Sequence, residues 1–216
     1  MTYPLLVVTA VAAEAEAVRE GADPRAVVVK PVGVGPAAAA AGTARLLATG
    51  GYRAVINAGV AGGFPGRAAV GAIVLGTRSI AADLGAENRD GGFLPVEDLG
   101  FGVSVVPADT ALVKALVNAL PDAVTGDVLT LATVTGTAAT ADRLAHRFPH
   151  AVAEAMEGFG AAIAAQQAGL PFAELRAVSN PIGPRDRAAW RLADAFAALR
   201  VAAGVLTSLA GTLSTG

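Results

Sequence analysis

The 216-residue chain carries 16 Lys and Arg against 18 Asp and Glu, a formal net charge of −2, and it has no cysteine. These counts exclude disulfides, thiolate metal sites and cysteine nucleophiles, and they leave no basic footprint for nucleic acid. Hydrophobic residues make up 54% of the chain and mean hydropathy is +0.55, yet no unbroken apolar run reaches the roughly 18 residues of a membrane span. The most apolar stretch, near the C-terminus, contains Arg200. The opening MTYPLLVVTAVAAEAEAV lacks a basic leader and soon meets Glu14 and Glu16, so a secretion signal is not expected and a cytoplasmic location is. The length fits one domain over 1–216. Low charge with high apolar content suits a buried sheet and a homo-oligomer, a dimer or a dimer-based assembly.

Short apolar runs rich in β-branched residues lie at 5–8, 26–32, 53–57, 71–75, 103–106, 126–134, 151–155 and 172–178. Between them, Ala-rich patterns predict helices at about 13–20, 36–49, 108–119, 138–147, 156–168 and 187–212. Runs apolar at every position fit strands covered on both faces. The alternation predicts a three-layer α/β/α fold around a mixed, largely parallel sheet. One long irregular stretch, 83–102, is too polar and Gly-rich for core and fits a lid or an interface arm.

In open α/β sheets ligands collect beyond the C-terminal ends of strands. Four such places carry unusual chemistry: TAVAAEAE after the first strand, NAGVAGG after the third, AMEG ahead of the 156–168 helix, and SNPIG after the last strand. In VGVGP, Gly33 and Gly35 suit a tight turn and Pro36 a helix opening, in preference to a phosphate loop. In NAGVAGG the small residues around Gly59 and Val60 allow a ligand close to the backbone, or make a tight strand-to-helix connection. Glu16 and Glu20 share a solvated helix face. Glu157 is different, because a carboxylate at the mouth of a buried Ala-lined helix is costly unless paired or used, and sugar hydroxyls are natural partners. Asn180 precedes Pro181, where its amide caps a turn or faces a ligand. His146 and His150 stand four apart, but Pro149 breaks the helical register, so they fit surface histidines; neither metal nor cofactor is expected.

The order of these segments resembles the nucleoside phosphorylase and nucleosidase superfamily over nearly the whole chain. VVTAVAAEAEAV is similar to the first strand and acid-bearing loop of the methylthioadenosine/S-adenosylhomocysteine nucleosidases. VGVGPAAAAAGTARLL, INAGVAGGF with VGAIVL, RFPHAVAEAMEGFGAAIAA and LRAVSNPIG follow as its later blocks. Within the superfamily SNPIGPRD resembles the last block of the futalosine hydrolases. The resemblance implies N-glycosidic cleavage of a purine nucleoside by water, with futalosine as substrate, hypoxanthine as leaving base and a role in menaquinone biosynthesis. It implies Glu14 as the general base that activates water. Met156 and Glu157 fall on the ribose site, Asn180 where adenine-specific members keep an Asp that protonates the base, and Thr137 within TGTAA, which lines the base pocket.

Two departures alter detail. Adenine-specific nucleosidases have Ser at the Val60 position and Glu at the Ala155 position. The arginines a phosphorylase needs are absent at Asn57 and from the loop before Arg19, so a phosphate dianion lacks a clamp there. An amide at 180 donates to the O6 and N7 acceptors of a 6-oxopurine without a shifted pKa, which selects hypoxanthine or guanine over adenine. For a carboxylate on the 5′ extension the candidates are Arg185 and Arg187, or Arg78 and Arg89; Arg185 and Asp186 equally suit a loop and a helix cap. Phe101 is a candidate wall for the extension, and Trp190 fits core packing better. The 83–102 loop is a candidate to complete a neighbour's pocket in a dimer.

Overall fold

A computed structural model describes residues 3–212 of the chain. Ten strands and six helices alternate: β1 (Leu5–Thr9), α1 (Ala12–Gly21), β2 (Val27–Pro31), α2 (Pro36–Thr49), β3 (Ala54–Gly63), β4 (Ile73–Ala81), β5 (Gly85–Glu87), β6 (Phe93–Pro95), β7 (Val105–Pro107), α3 (Thr110–Ala119), β8 (Val124–Thr130), α4 (Ala138–Arg147), β9 (Ala151–Ala155), α5 (Gly158–Gln167), β10 (Phe172–Pro181) and α6 (Leu192–Thr212). The eight-stranded sheet runs β10-β4-β8-β9-β3-β1-β2, with β7 beside β4, and β10 also pairs with β3. That last pairing is parallel from Phe172 opposite Val55 to Pro181 opposite Gly63. It curls β3, β10, β4, β8 and β9 into a closed circuit, leaving β1 and β2 as a flange.

The sheet is mixed. β1–β2, β1–β3, β3–β10, β4–β8 and β8–β9 are parallel, while β4–β10, β3–β9 and β4–β7 are antiparallel. Strands such as LLVVT in β1 are buried at every position, because helices cover both faces. The main core joins β1, β3 and β10 to α1 and α6 through residues such as Val7, Ile56, Leu175, Val18 and Leu199. Between Leu192 and Gly211, α6 is long and apolar enough to cross a membrane by length and composition alone. Its Ala195, Leu199, Ala202, Ala203 and Leu206 lie in that core, which accounts for its buried face.

Three expectations need correcting. NAGVAGG is the second half of β3 and continues in the strand to Gly63, because its small residues fit where β3 is clasped by β10 on one side and β9 on the other. The 83–102 stretch contains a hairpin of β5 and β6, turned by Asn88, whose Oδ1 accepts from the amides of Asp90 and Gly92. The helix expected from 187 begins at Leu192; Arg187–Ala189 form a separate 3₁₀ turn capped by Asp186. The VGVGP turn is as read: Gly33 and Gly35 have φ of 103° and 92°, and Pro36 opens α2.

Candidate active site

Glu14 is set by the way its helix begins. The sequence TAVAAEAE offers no Ser or Asp at the start of α1, and Glu14 reaches back to do the capping itself. Its Oε2 accepts the amides of Ala10 at 2.9 Å and Val11 at 3.1 Å, and its Oε1 accepts the Val60 amide at 2.9 Å. The carboxylate is buried. Burial raises its pKa, against the lowering effect of the Val60 bond and the nearby Arg176 guanidinium. Gly59 makes room for it: a Cβ there would stand 2.6 Å from Glu14 Oε1 and 2.9 Å from Arg176 Nη1.

Glu157 stands at the N-terminus of α5. Its Oε1 accepts the Gly35 amide at 3.1 Å and its Oε2 the Met156 amide at 3.3 Å. Arg176 Nη1 lies 3.6 Å from Oε2. Arg176 is fully buried on β10, with Nε on Glu174 Oε1 at 2.9 Å and Nη2 on Asn57 Oδ1. Glu174 also accepts from Ser79 Oγ, and Asn57 donates to the Val8 carbonyl. Burial opposes the charge on Arg176, but Glu174, Glu157 and Glu14 outweigh it and its pKa moves up. Burial is also the main cause that raises the pKa of Glu174. The glycine of MEG has a structural reason: a Cβ on Gly158 would stand 2.3 Å from both Glu174 oxygens, so the bare backbone at the α5 N-terminus sits directly on that carboxylate.

Above this cluster opens a cavity of about 360 Å³, a volume within the range of small-molecule sites. Glu14, Val60, Met156 and Glu157 line its base, Asn180, Thr135 and Glu154 one side, and Arg185 and Trp190 the rim. Asn180 Oδ1 accepts from Ser179 Oγ at 2.8 Å, and its Nδ2 donates to the Pro181 carbonyl at 3.0 Å. An amide nitrogen has two hydrogens, so one remains for a ligand. Arg185 and Arg187 flank the Trp190 ring, with guanidinium carbons 5.4 and 5.8 Å from its centroid.

Of the residues singled out from sequence, Glu14, Val60, Met156, Glu157, Asn180 and Arg185 meet at this cavity. Gly59 lies beneath it as a spacer. Thr137 does not line it, because its hydroxyl caps α4 by accepting the Thr140 amide; Thr135 of the same segment is the one that faces in. Trp190 walls the rim instead of packing in the core. Phe101 is 82% exposed and lies outside the lining, as does Arg89. Arg78 is held elsewhere by Asp127, through Nε at 2.8 Å and Nη2 at 2.5 Å.

Sequence reasoning passed over Arg176, Glu174 and Glu154. The signal was present, since ELR interrupts an apolar strand at 174–176 and a glutamate interrupts AVAEA at 154. Charges inside a strand buried on both faces must be paired. No arginine stands at Asn57 or in the loop before Arg19, as read from sequence, but Arg176 reaches the same cluster from β10. Its guanidinium faces three carboxylates, Glu174, Glu157 and Glu14, which leaves a dianion no net positive field.

Residues 12–213 match the phosphorylase superfamily. The fold aligns with the 5′-methylthioadenosine/S-adenosylhomocysteine nucleosidase of Neisseria meningitidis, solved with methylthio-immucillin-A, at a TM-score of 0.81 and 22% identity over 95% of this chain and 99% of that one. Futalosine hydrolase of Streptomyces coelicolor is 55% identical over 179 residues, covering 81% of this chain and 75% of that protein. Futalosine hydrolase of Acidothermus cellulolyticus is 46% identical over 227 aligned positions, covering 94% and 92%. The chain belongs to the phosphorylase superfamily and, within it, to the futalosine hydrolase family.

Proposed function

We propose that the protein hydrolyses the N-glycosidic bond of futalosine, releasing hypoxanthine, and so serves menaquinone biosynthesis. The observation that carries this reading is the meeting of Glu14, Glu157 and Arg176 beneath a cavity whose side presents the Asn180 amide. Arg176 Nη1 is buried and has no hydrogen-bond partner among the described residues. A buried donor left unpaired is costly, so a water between it and Glu14 has a physical reason to sit there.

The reaction follows from the roles these groups can fill. The bond to the base lengthens first and the sugar takes on oxocarbenium character, as in glycoside hydrolysis. Glu157 accepts from the ribose hydroxyls while the Gly35 and Met156 amides and Arg176 hold it in place. Glu14 orients the water and takes its proton as oxygen bonds to the anomeric carbon. The free N–H of Asn180 meets the acceptor edge of the departing 6-oxopurine. Arg185, exposed at the rim, is placed to meet the carboxylate of the 5′ extension while Trp190 lies against its aromatic part.

Phosphorolysis is disfavoured by the carboxylates around Arg176, and a 6-aminopurine by the amide at 180. A homo-oligomer, dimer or dimer-based, is part of the proposal; exposed Phe101 and Val201, at 82% and 76%, support it. A direct comparison of futalosine, inosine and methylthioadenosine, followed by release of free base, tests the reading. Futalosine is expected to be cleaved fastest; preference for methylthioadenosine would overturn it.

A further inference from the structure

The mechanism leaves one buried carboxylate in the cavity unused. Glu154 is buried on β9 and lines the same side of the pocket as Asn180. The two are brought together by β3: Gly62 pairs with Glu154 across one edge and with Asn180 across the other. The position that a Cβ on Gly62 would occupy lies 3.5 Å from Asn180 Nδ2 and 3.7 Å from Glu154 Cγ. The Asn180 amide and the Glu154 side chain thus both approach Gly62, with Ile182 Cγ2 nearest to it at 2.7 Å.

Glu154 is also oriented. Its Oε1 accepts the Thr135 amide at 2.7 Å and its Oε2 the Thr135 hydroxyl at 2.5 Å. Each carboxylate oxygen has two lone-pair sites, so these bonds fix the group and leave acceptor capacity. Burial raises its pKa, while the two Thr135 bonds favour the ionised form. A buried carboxylate with spare acceptor capacity in a ligand cavity calls for a donor on the ligand.

Resting on the purine-hydrolase reading, we propose that Glu154 is a base-recognition residue that accepts the N1–H of a 6-oxopurine while Asn180 donates to the neighbouring acceptor edge. The chemistry is complementary. A 6-oxopurine carries acceptors at N7 and O6 and a donor at N1, whereas a 6-aminopurine presents a lone pair at N1. Against Glu154 that lone pair meets a carboxylate, so the residue both selects the oxo base and repels the amino base.

The test compares wild type and Glu154→Gln on futalosine and its 6-amino counterpart, reading kcat/KM from base release. The oxo-to-amino ratio is expected to fall by about tenfold or more in the variant, because an amide can donate to the N1 of adenine; this is the scale of leaving one buried polar group unpaired. A ratio unchanged within about twofold would overturn the inference, as would an equal loss on both substrates, the mark of a residue that only anchors Thr135. A second measurement uses wild type alone and direct binding of hypoxanthine against 1-methylhypoxanthine. The methylated base is expected to bind at least about tenfold more weakly, and equal affinity would overturn the assignment. This binding contrast does not depend on turnover, so failure to cleave futalosine would sink the proposed function separately.

Discussion

Glu14 and Val60 are joined by a 2.9 Å bond from the Val60 amide to Glu14 Oε1, which ties the start of α1 to the middle of β3. Two rigid elements therefore hold the carboxylate proposed to activate water. Replacing Glu14 by Ala is expected to cut turnover by about 10²–10⁴-fold, the usual range for a general base. Release of hypoxanthine under saturating substrate measures it, and near-normal turnover would remove Glu14 from the mechanism.

The acid limb of the pH profile follows from the same residue. Glu14 must be ionised to take a proton, and burial raises its pKa above the ordinary value of 4.5. Activity is expected to rise with pH through that raised value, so the limb in kcat lies above 4.5; a limb at or below it would contradict the assignment. Stability runs the other way. The protonated form favours the fold, an advantage complete below the ordinary glutamate value and lost as pH rises through the raised folded value. Unfolding free energies of wild type and Glu14→Gln across this window should show the wild type losing ground as pH increases.

Arg176 joins the site to the core. Its Nε bond to Glu174 is fully buried and its ion pair with Glu157 is buried. Replacing it by Met removes the only cation that faces these carboxylates among the described residues and leaves them uncompensated. The expected loss of stability is about 3–5 kcal/mol, as for breaking other buried pairs from one side. Urea denaturation measures it, and a loss below about 1 kcal/mol would show that Arg176 does not compensate the buried carboxylates.

Gly59→Ala separates geometry from chemistry. The new Cβ would stand 2.6 Å from Glu14 Oε1, so the carboxylate or the strand must shift. Stability is expected to drop by about 1–3 kcal/mol, the ordinary cost of overpacking, and kcat by about 10²-fold from misplacement of the base. Circular dichroism alongside kinetics checks this. Full activity in a folded variant would show that Glu14 has room to adjust.

The layered α/β plan and most element positions were legible because strands buried on both faces read as unbroken apolar runs, as in LLVVT, and because Pro36 marks a helix start. Curling of the sheet was not legible: nothing local to FAELRAVSNP says that it pairs with both β3 and β4. That non-local closure also hid the middle of the site. Glu14 and Glu157 follow strand ends, and Asn180 is the penultimate residue of β10, where sequence patterns point to ligands even though the strand runs on to Pro181. Arg176, Glu174 and Glu154 lie inside strands, and apart from the Arg176–Glu174 bond within β10 the partners named come from 19 to 119 residues away. Gly59 and Thr137 were singled out for neighbourhood, and the structure separates them into a spacer beneath the cavity and a helix cap outside it.

The most direct test of the account is base release from futalosine with and without inorganic phosphate, with the sugar product identified. Water as the nucleophile predicts equal rates in both conditions, hypoxanthine and a free reducing sugar, and no sugar phosphate. A rate that depends on phosphate, with a sugar 1-phosphate as product, would contradict it.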